Sequence, residues 1–142
     1  MVIRKWKGCE EWGGGRTDER KIYIVDDDES VCRALKTLLR TFGFVVKAFN
    51  SAKSFFDAVP NEEPGCLVLD INMPEVDGWA MQKQIFDSGS KRPVIFMSAD
   101  KQDNVAGRAL KVGAVGFLQK PFGGQALVDL INVASEDTNG MI

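Results

Sequence analysis

The chain has 142 residues, a formal net charge of -2 and no histidine. That length suits one domain of roughly 100–200 residues with a real core, and the near-neutral charge offers no nucleic-acid surface. Without histidine there is no Ser-His or Cys-His centre and no histidine-ligated metal. Chemistry then falls to carboxylates, hydroxyls, lysine and a hard cation that prefers oxygen ligands.

Residues 1–19 read as a flexible N-terminal extension, because Gly13 to Gly15 interrupt any period and the charges nearly balance. Trp6 and Trp12 are unusual in such a tail. A regular rhythm fills residues 20–136. "KIYIV" (21–25) is a short β-branched strand that stops at Asp26. "SVCRALKTLLRTFG" (30–43) spaces Val31, Leu35, Leu38, Leu39 and Phe42 along one helix face, and Gly43 closes it. "FVVKAF" (44–49) is a strand, and "SAKSFFDAV" (51–59) is a helix with Ser51 as N-cap and Pro60 after its end. "CLVLD" (66–70) is a strand and "WAMQKQIFD" (79–87) a helix. "PVIFMS" (93–98) is a strand, followed by the helix "QDNVAGRALKVG" (102–113). "GFLQK" (116–120) is the last strand and "GQALVDLINVA" (124–134) the last helix, with a C-terminal tail at 137–142.

Cys9, Cys32 and Cys66 fit neither a disulfide framework nor a zinc pair, and read as free thiols of a reducing cytosol. No run of about 18 apolar residues spans a membrane, and the N-terminus lacks the apolar core of a signal peptide. The expected location is the cytoplasm, with no membrane contact.

Apolar strands that do not alternate suit a parallel sheet covered on both faces. Repeated βα units imply right-handed crossovers and a doubly wound α/β fold. The expectation is a flavodoxin-like (βα)5 three-layer sandwich with strand order 2-1-3-4-5. Ligands of such sheets bind at the carboxyl ends of the strands.

Those ends carry polar groups. After the first strand stand Asp26, Asp27 and Asp28, after the third Asp70, after the fourth Ser98, and after the fifth Lys120. Each has an ordinary explanation alone, and Asp28 reads best as a helix cap. Together, carboxylates at neighbouring strand ends would repel, and a cation is the usual remedy. Oxygen ligands point to Mg2+, with Mn2+ as a substitute. A carboxylate is ionised at neutral pH and can attack phosphorus to form an aspartyl phosphate without a general base. Lys120 and the cation would neutralise the phosphoryl oxygens, and Ser98 would donate a hydrogen bond to one of them. The small Ala99 would leave room.

"IVDDDES", "LVLDINMPEVDGW", "VIFMSAD" and "FLQKPF", in that order and spacing, resemble the receiver domain of two-component response regulators. "FLQKPF" and "ALVDLI" resemble the NarL/FixJ-type subgroup most. The resemblance implies that Asp70 is the phosphoacceptor, with Asp27 a direct Mg2+ ligand, Asp26 a ligand through water, and Asn72 contributing its backbone carbonyl. It implies Ser98 as switch hydroxyl, Phe117 as switch aromatic, Lys120 as phosphate-binding lysine and a cis peptide between Lys120 and Pro121. Pro74 would stiffen the loop after Asp70 and Gly78 would allow its bend. Asn72 and Asp100, two residues after Asp70 and Ser98, are expected to favour fast loss of the phosphoryl group.

The implied partners are a sensor histidine kinase or phosphotransfer protein and a downstream partner or output domain. The latter would bind the face of the fourth helix, fifth strand and fifth helix. A homodimer is also compatible, and no direct nucleic-acid contact is expected. The implied role is signalling rather than enzymatic. Two other readings remain: an interaction module of the same fold that takes no phosphate, and an aspartate-nucleophile phosphatase of the haloacid dehalogenase type. The phosphatase wants its nucleophile after the first strand and a cap for substrate.

Overall fold

A computed structural model describes residues 21–61, 63–73, 76–90, 92–99 and 105–140, with side chains as far as Ala134. The expected N-terminal extension, Pro74 and Asp100 lie outside these residues. Among the described residues ten elements alternate: β1 (Lys21–Val25), α1 (Glu29–Thr41), β2 (Val45–Phe49), α2 (Ala52–Ala58), β3 (Cys66–Asp70), α3 (Gly78–Asp87), β4 (Val94–Ser98), α4 (Val105–Lys111), β5 (Gly116–Gln119) and α5 (Gly124–Gly140). The sheet is parallel, with order β2-β1-β3-β4-β5.

Strand side chains point alternately to the two faces of the sheet, and both faces are dry. Ile22, Ile24, Val68, Ile95 and Met97 pack with Leu35 and Leu39 of α1 and Leu127 and Ile131 of α5. Tyr23, Val25, Leu67, Leu69 and Phe96 pack with Phe55 of α2, Met81 of α3 and Ala109 of α4. This two-sided burial explains why β3 and β4 are apolar at nearly every position, and why only their last residues, Asp70 and Ser98, are polar.

Local signals set the helix ends. Asp28 caps α1, its carboxylate accepting from the backbone N–H groups of Ser30 and Val31. Gly43 follows that helix at a φ of 90°, a left-handed conformation that a side chain would strain. Ser51 caps α2, and Asp77 caps α3 by accepting from the Ala80 N–H at 2.9 Å. Boundaries differ by small amounts from those expected. β4 starts at Val94 rather than Pro93, which has no N–H to give a ladder. α5 continues to Gly140, past the expected end at Ala134.

Gly78 is needed for a reason the sequence did not reveal. It sits inside the first turn of α3 and is not among the glycines with positive φ. A Cβ there would lie 2.7 Å from Ile71 Cα and 2.8 Å from the Asp70 carbonyl oxygen. Close backbone packing directly behind Asp70, rather than a bend, excludes a side chain.

Candidate functional site: an acidic pocket at the sheet's carboxyl edge

Parallel strands bring their C-terminal ends to one edge, so residues far apart in sequence meet there. Asp26 follows β1 and is fully buried, its N–H held by the Phe49 carbonyl at 3.1 Å. One of its carboxylate oxygens accepts from the Asp28 N–H at 2.9 Å. Asp27 beside it is exposed. Asp70 ends β3 and is 3 % exposed. The next residue, Ile71, is pinned on both sides: its N–H donates to the Met97 carbonyl and its carbonyl accepts from the Gly78 N–H, each at 2.9 Å.

One carboxylate oxygen from each of Asp26, Asp27 and Asp70 falls within 4.8 Å of the others. The cation nearest to them among the described residues is Lys120. Its Nζ donates to Asp26 Oδ2 at 2.8 Å and lies 3.6 Å from Asp70 Oδ1. The Lys120–Pro121 peptide is cis. The Lys120 N–H donates to the Ser98 carbonyl at 2.8 Å, which ties the end of β5 to the end of β4.

The electrostatics follow from burial and crowding. Burial, then the charge of Asp26, pushes the Asp70 carboxyl up to about 6, against the opposing pull of Lys120 and the Asn72 N–H. For Lys120, burial disfavours the charged form, but the hydrogen bond and charge of Asp26 outweigh it, so its pKa is raised. Three carboxylates around one ammonium leave excess negative charge. Hard oxygen donors at this spacing fit a divalent cation such as Mg2+, and no sulfur or imidazole donor competes within the cluster.

Ser98, at the end of β4, is fully buried and donates its hydroxyl proton to Asn72 Oδ1 at 2.6 Å. Asn72 also gives its backbone N–H to Asp70 Oδ1 at 3.3 Å. Phe117 of β5 stands in register with Phe96 of β4 and is half-buried against the cluster beneath α3 and α4. Trp79, next to Gly78, packs on Phe96 with ring centroids 4.8 Å apart, and the Arg108 guanidinium of α4 lies 4.1 Å from its ring centre.

The residues expected at the strand ends thus converge, and Asp28 stands apart as the α1 cap. Three features escaped the sequence reading: the Ser98–Asn72 hydrogen bond, the Lys120–Asp26 pair and the Arg108–Trp79 stack. The first two had a partial signal in the strand-end positions. The third had none, since an arginine inside a helix reads as a solvated residue.

A family model for the response regulator receiver domain matches residues 22–132. The chain belongs to this family. The receiver is 39% identical over 134 residues to the response regulator protein TmoT of Ectopseudomonas mendocina, covering 94% of this chain and 61% of that protein. It is 42% identical over 113 residues to TodT of Pseudomonas putida, covering 80% of this chain and 50% of the relative. The receiver therefore spans about half to three-fifths the length of these relatives. The crystal structure of FixJ-N superposes with a TM-score of 0.76 at 34% identity, covering 83% of this chain and 94% of that one. That likeness agrees with the subgroup expected from "FLQKPF" and "ALVDLI". No helix among the described residues of the receiver is long and apolar enough to cross a membrane.

Proposed function

We propose that this receiver accepts a phosphoryl group on Asp70 and passes the signal on through the face of α4, β5 and α5. The observation that carries the reading is the convergence of the Asp26, Asp27 and Asp70 carboxylates within 4.8 Å, with the Lys120 ammonium 3.6 Å from Asp70. Asp70 attacks the phosphorus of a donor. A new O–P bond forms as the bond between phosphorus and the donor's nitrogen or oxygen breaks. Because this chain has no histidine of its own, the donor is a phosphohistidine of another protein, a sensor kinase or phosphotransfer protein, or a small phosphodonor.

The chain's own groups have distinct tasks. The backbone on either side of Ile71 fixes the direction of the Asp70 side chain. Lys120, already charged and close, moves from Asp26 and Asp70 to the incoming phosphoryl oxygens. Asp27, exposed at the mouth, and Asp70 would hold Mg2+ directly, with the Asn72 carbonyl. Asp26 has both oxygens engaged, by the Asp28 N–H and by Lys120, which suits contact through water. Mg2+ held there would supply positive charge against that building on the phosphoryl group.

Ser98 and Phe117 then relay the change. Turning the Ser98 hydroxyl toward the phosphoryl group draws on β4, which is bonded to Lys120 of the β5 end. It also opens space for the Phe117 ring and favours a second arrangement of α4 and β5. Exposed Leu110 of α4 and Val133 of α5 support a partner surface on this face, for an output domain or a second copy of the chain.

Incubation with acetyl phosphate and Mg2+, followed by intact mass, tests the reading. One added phosphoryl group that is absent from Asp70→Ala is expected. No adduct, or an equal adduct in Asp70→Ala, refutes it. Hydrolysis of a phosphate ester by the purified chain would favour the phosphatase instead.

A further inference from the structure

We propose that the Asn72 side chain is a latch that holds the Ser98 hydroxyl away from the phosphoryl site until phosphorylation pulls it free. The inference rests on the reading above, in which Ser98 bonds a phosphoryl oxygen on Asp70. A hydroxyl has one proton to donate. In this structure Ser98 spends it on Asn72 Oδ1 at 2.6 Å, a short and well-formed bond. The same proton cannot also serve a phosphoryl oxygen, so the two bonds exclude each other.

The position of Asn72 suits this task. Its backbone N–H holds the phosphoacceptor while its side chain holds the switch hydroxyl, so one residue spans β3 and β4. Ser98 is fully buried, so its hydroxyl is shielded from solvent while it donates to Asn72. Asn72 itself is exposed, so its amide is solvated once released and the latch opens at modest cost. The latch therefore biases the chain toward its resting arrangement without blocking the active one. It lowers the competent fraction and with it the apparent affinity for any phosphoryl group or mimic.

Titration of the full chain with beryllofluoride in excess Mg2+, followed by calorimetry, tests the latch. Asn72→Ala removes the acceptor from an exposed position and is expected to bind the mimic about two- to tenfold more tightly than the parent, the range of one net hydrogen bond. Ser98→Ala is expected to bind more weakly. In the Ser98→Ala background the Asn72→Ala change is expected to have no effect, because the bond it breaks is already gone. In the Ser98→Thr background, which keeps the hydroxyl, the gain is expected to return. An affinity for Asn72→Ala equal to or below the parent's overturns the latch, as does a gain that persists without the Ser98 hydroxyl. A parent chain that ignores beryllofluoride overturns the phosphoacceptor reading itself, and the two failures are thereby distinct.

Discussion

Replacing Asp70 by Asn should make the metal-free chain more stable, by an amount set by pH. Asp70 is 3 % exposed at the end of β3, and burial with the charge of Asp26 pushes its pKa from 3.8 up to about 6. The folded state thus binds the Asp70 proton more tightly than the unfolded chain does. Its contribution to stability is fully present below about pH 4, and is lost as pH rises through about 6. The rise from 3.8 to about 6, at 1.36 kcal/mol per pH unit, amounts to about 3 kcal/mol. In EDTA, urea denaturation of Asp70→Asn and parent from pH 4 to 8 should give a stability difference that grows across this interval. It should level off above about pH 7 with the variant about 3 kcal/mol ahead. Adding Mg2+ at a hundredfold excess over its Kd should return about 2.7 kcal/mol to the parent and much less to the variant, which has lost a ligand. A difference that is flat with pH, or a variant less stable than the parent at pH 7.5, would refute the electrostatic reasoning.

Lys120→Met should cost the metal-free chain about 3–5 kcal/mol by urea denaturation. It removes the ammonium that sits 2.8 Å from the fully buried Asp26 and leaves that charge uncompensated. Mg2+ should recover part of the loss, and a variant as stable as the parent in EDTA would count against the pairing. Gly78→Ala should destabilise by about 1–3 kcal/mol, because its Cβ would press on the Ile71 Cα and the Asp70 carbonyl, both backbone atoms that yield poorly. The same displacement should slow phosphorylation by acetyl phosphate. Unchanged stability and rate would show that the loop behind Asp70 gives way freely.

Much of this molecule was legible in its order of residues. The alternation of short apolar runs with amphipathic segments determined the βα rhythm, because run length and the 3.6-residue helical period are properties of the local chain. Lack of alternation within β3 and β4 required a sheet buried on both faces. The polar residues that terminate those runs, Asp26, Asp70 and Ser98, then had to lie at one edge, since parallel strands end on the same side. Helix caps such as Asp28 and Ser51 were equally local, for a cap bonds N–H groups only two or three residues away.

Only the tertiary structure decided how the groups at that edge use one another. Lys120 pairs with Asp26 across 94 positions, and Ser98 with Asn72 across 26. Such contacts depend on strand register and loop path, which no local period encodes. The raised pKa of Asp70 was invisible for the same reason, because it arises from burial at the end of β3 and from the Asp26 carboxylate that follows the neighbouring strand. Gly78 shows the difference within one residue. Its place after Asp77 suggested a turn, but the Asp70 and Ile71 backbone lying against its Cα made glycine necessary. Residue types and their order fixed which chemistry was available. Packing across the sheet fixed which proton, charge and contact each group holds at rest.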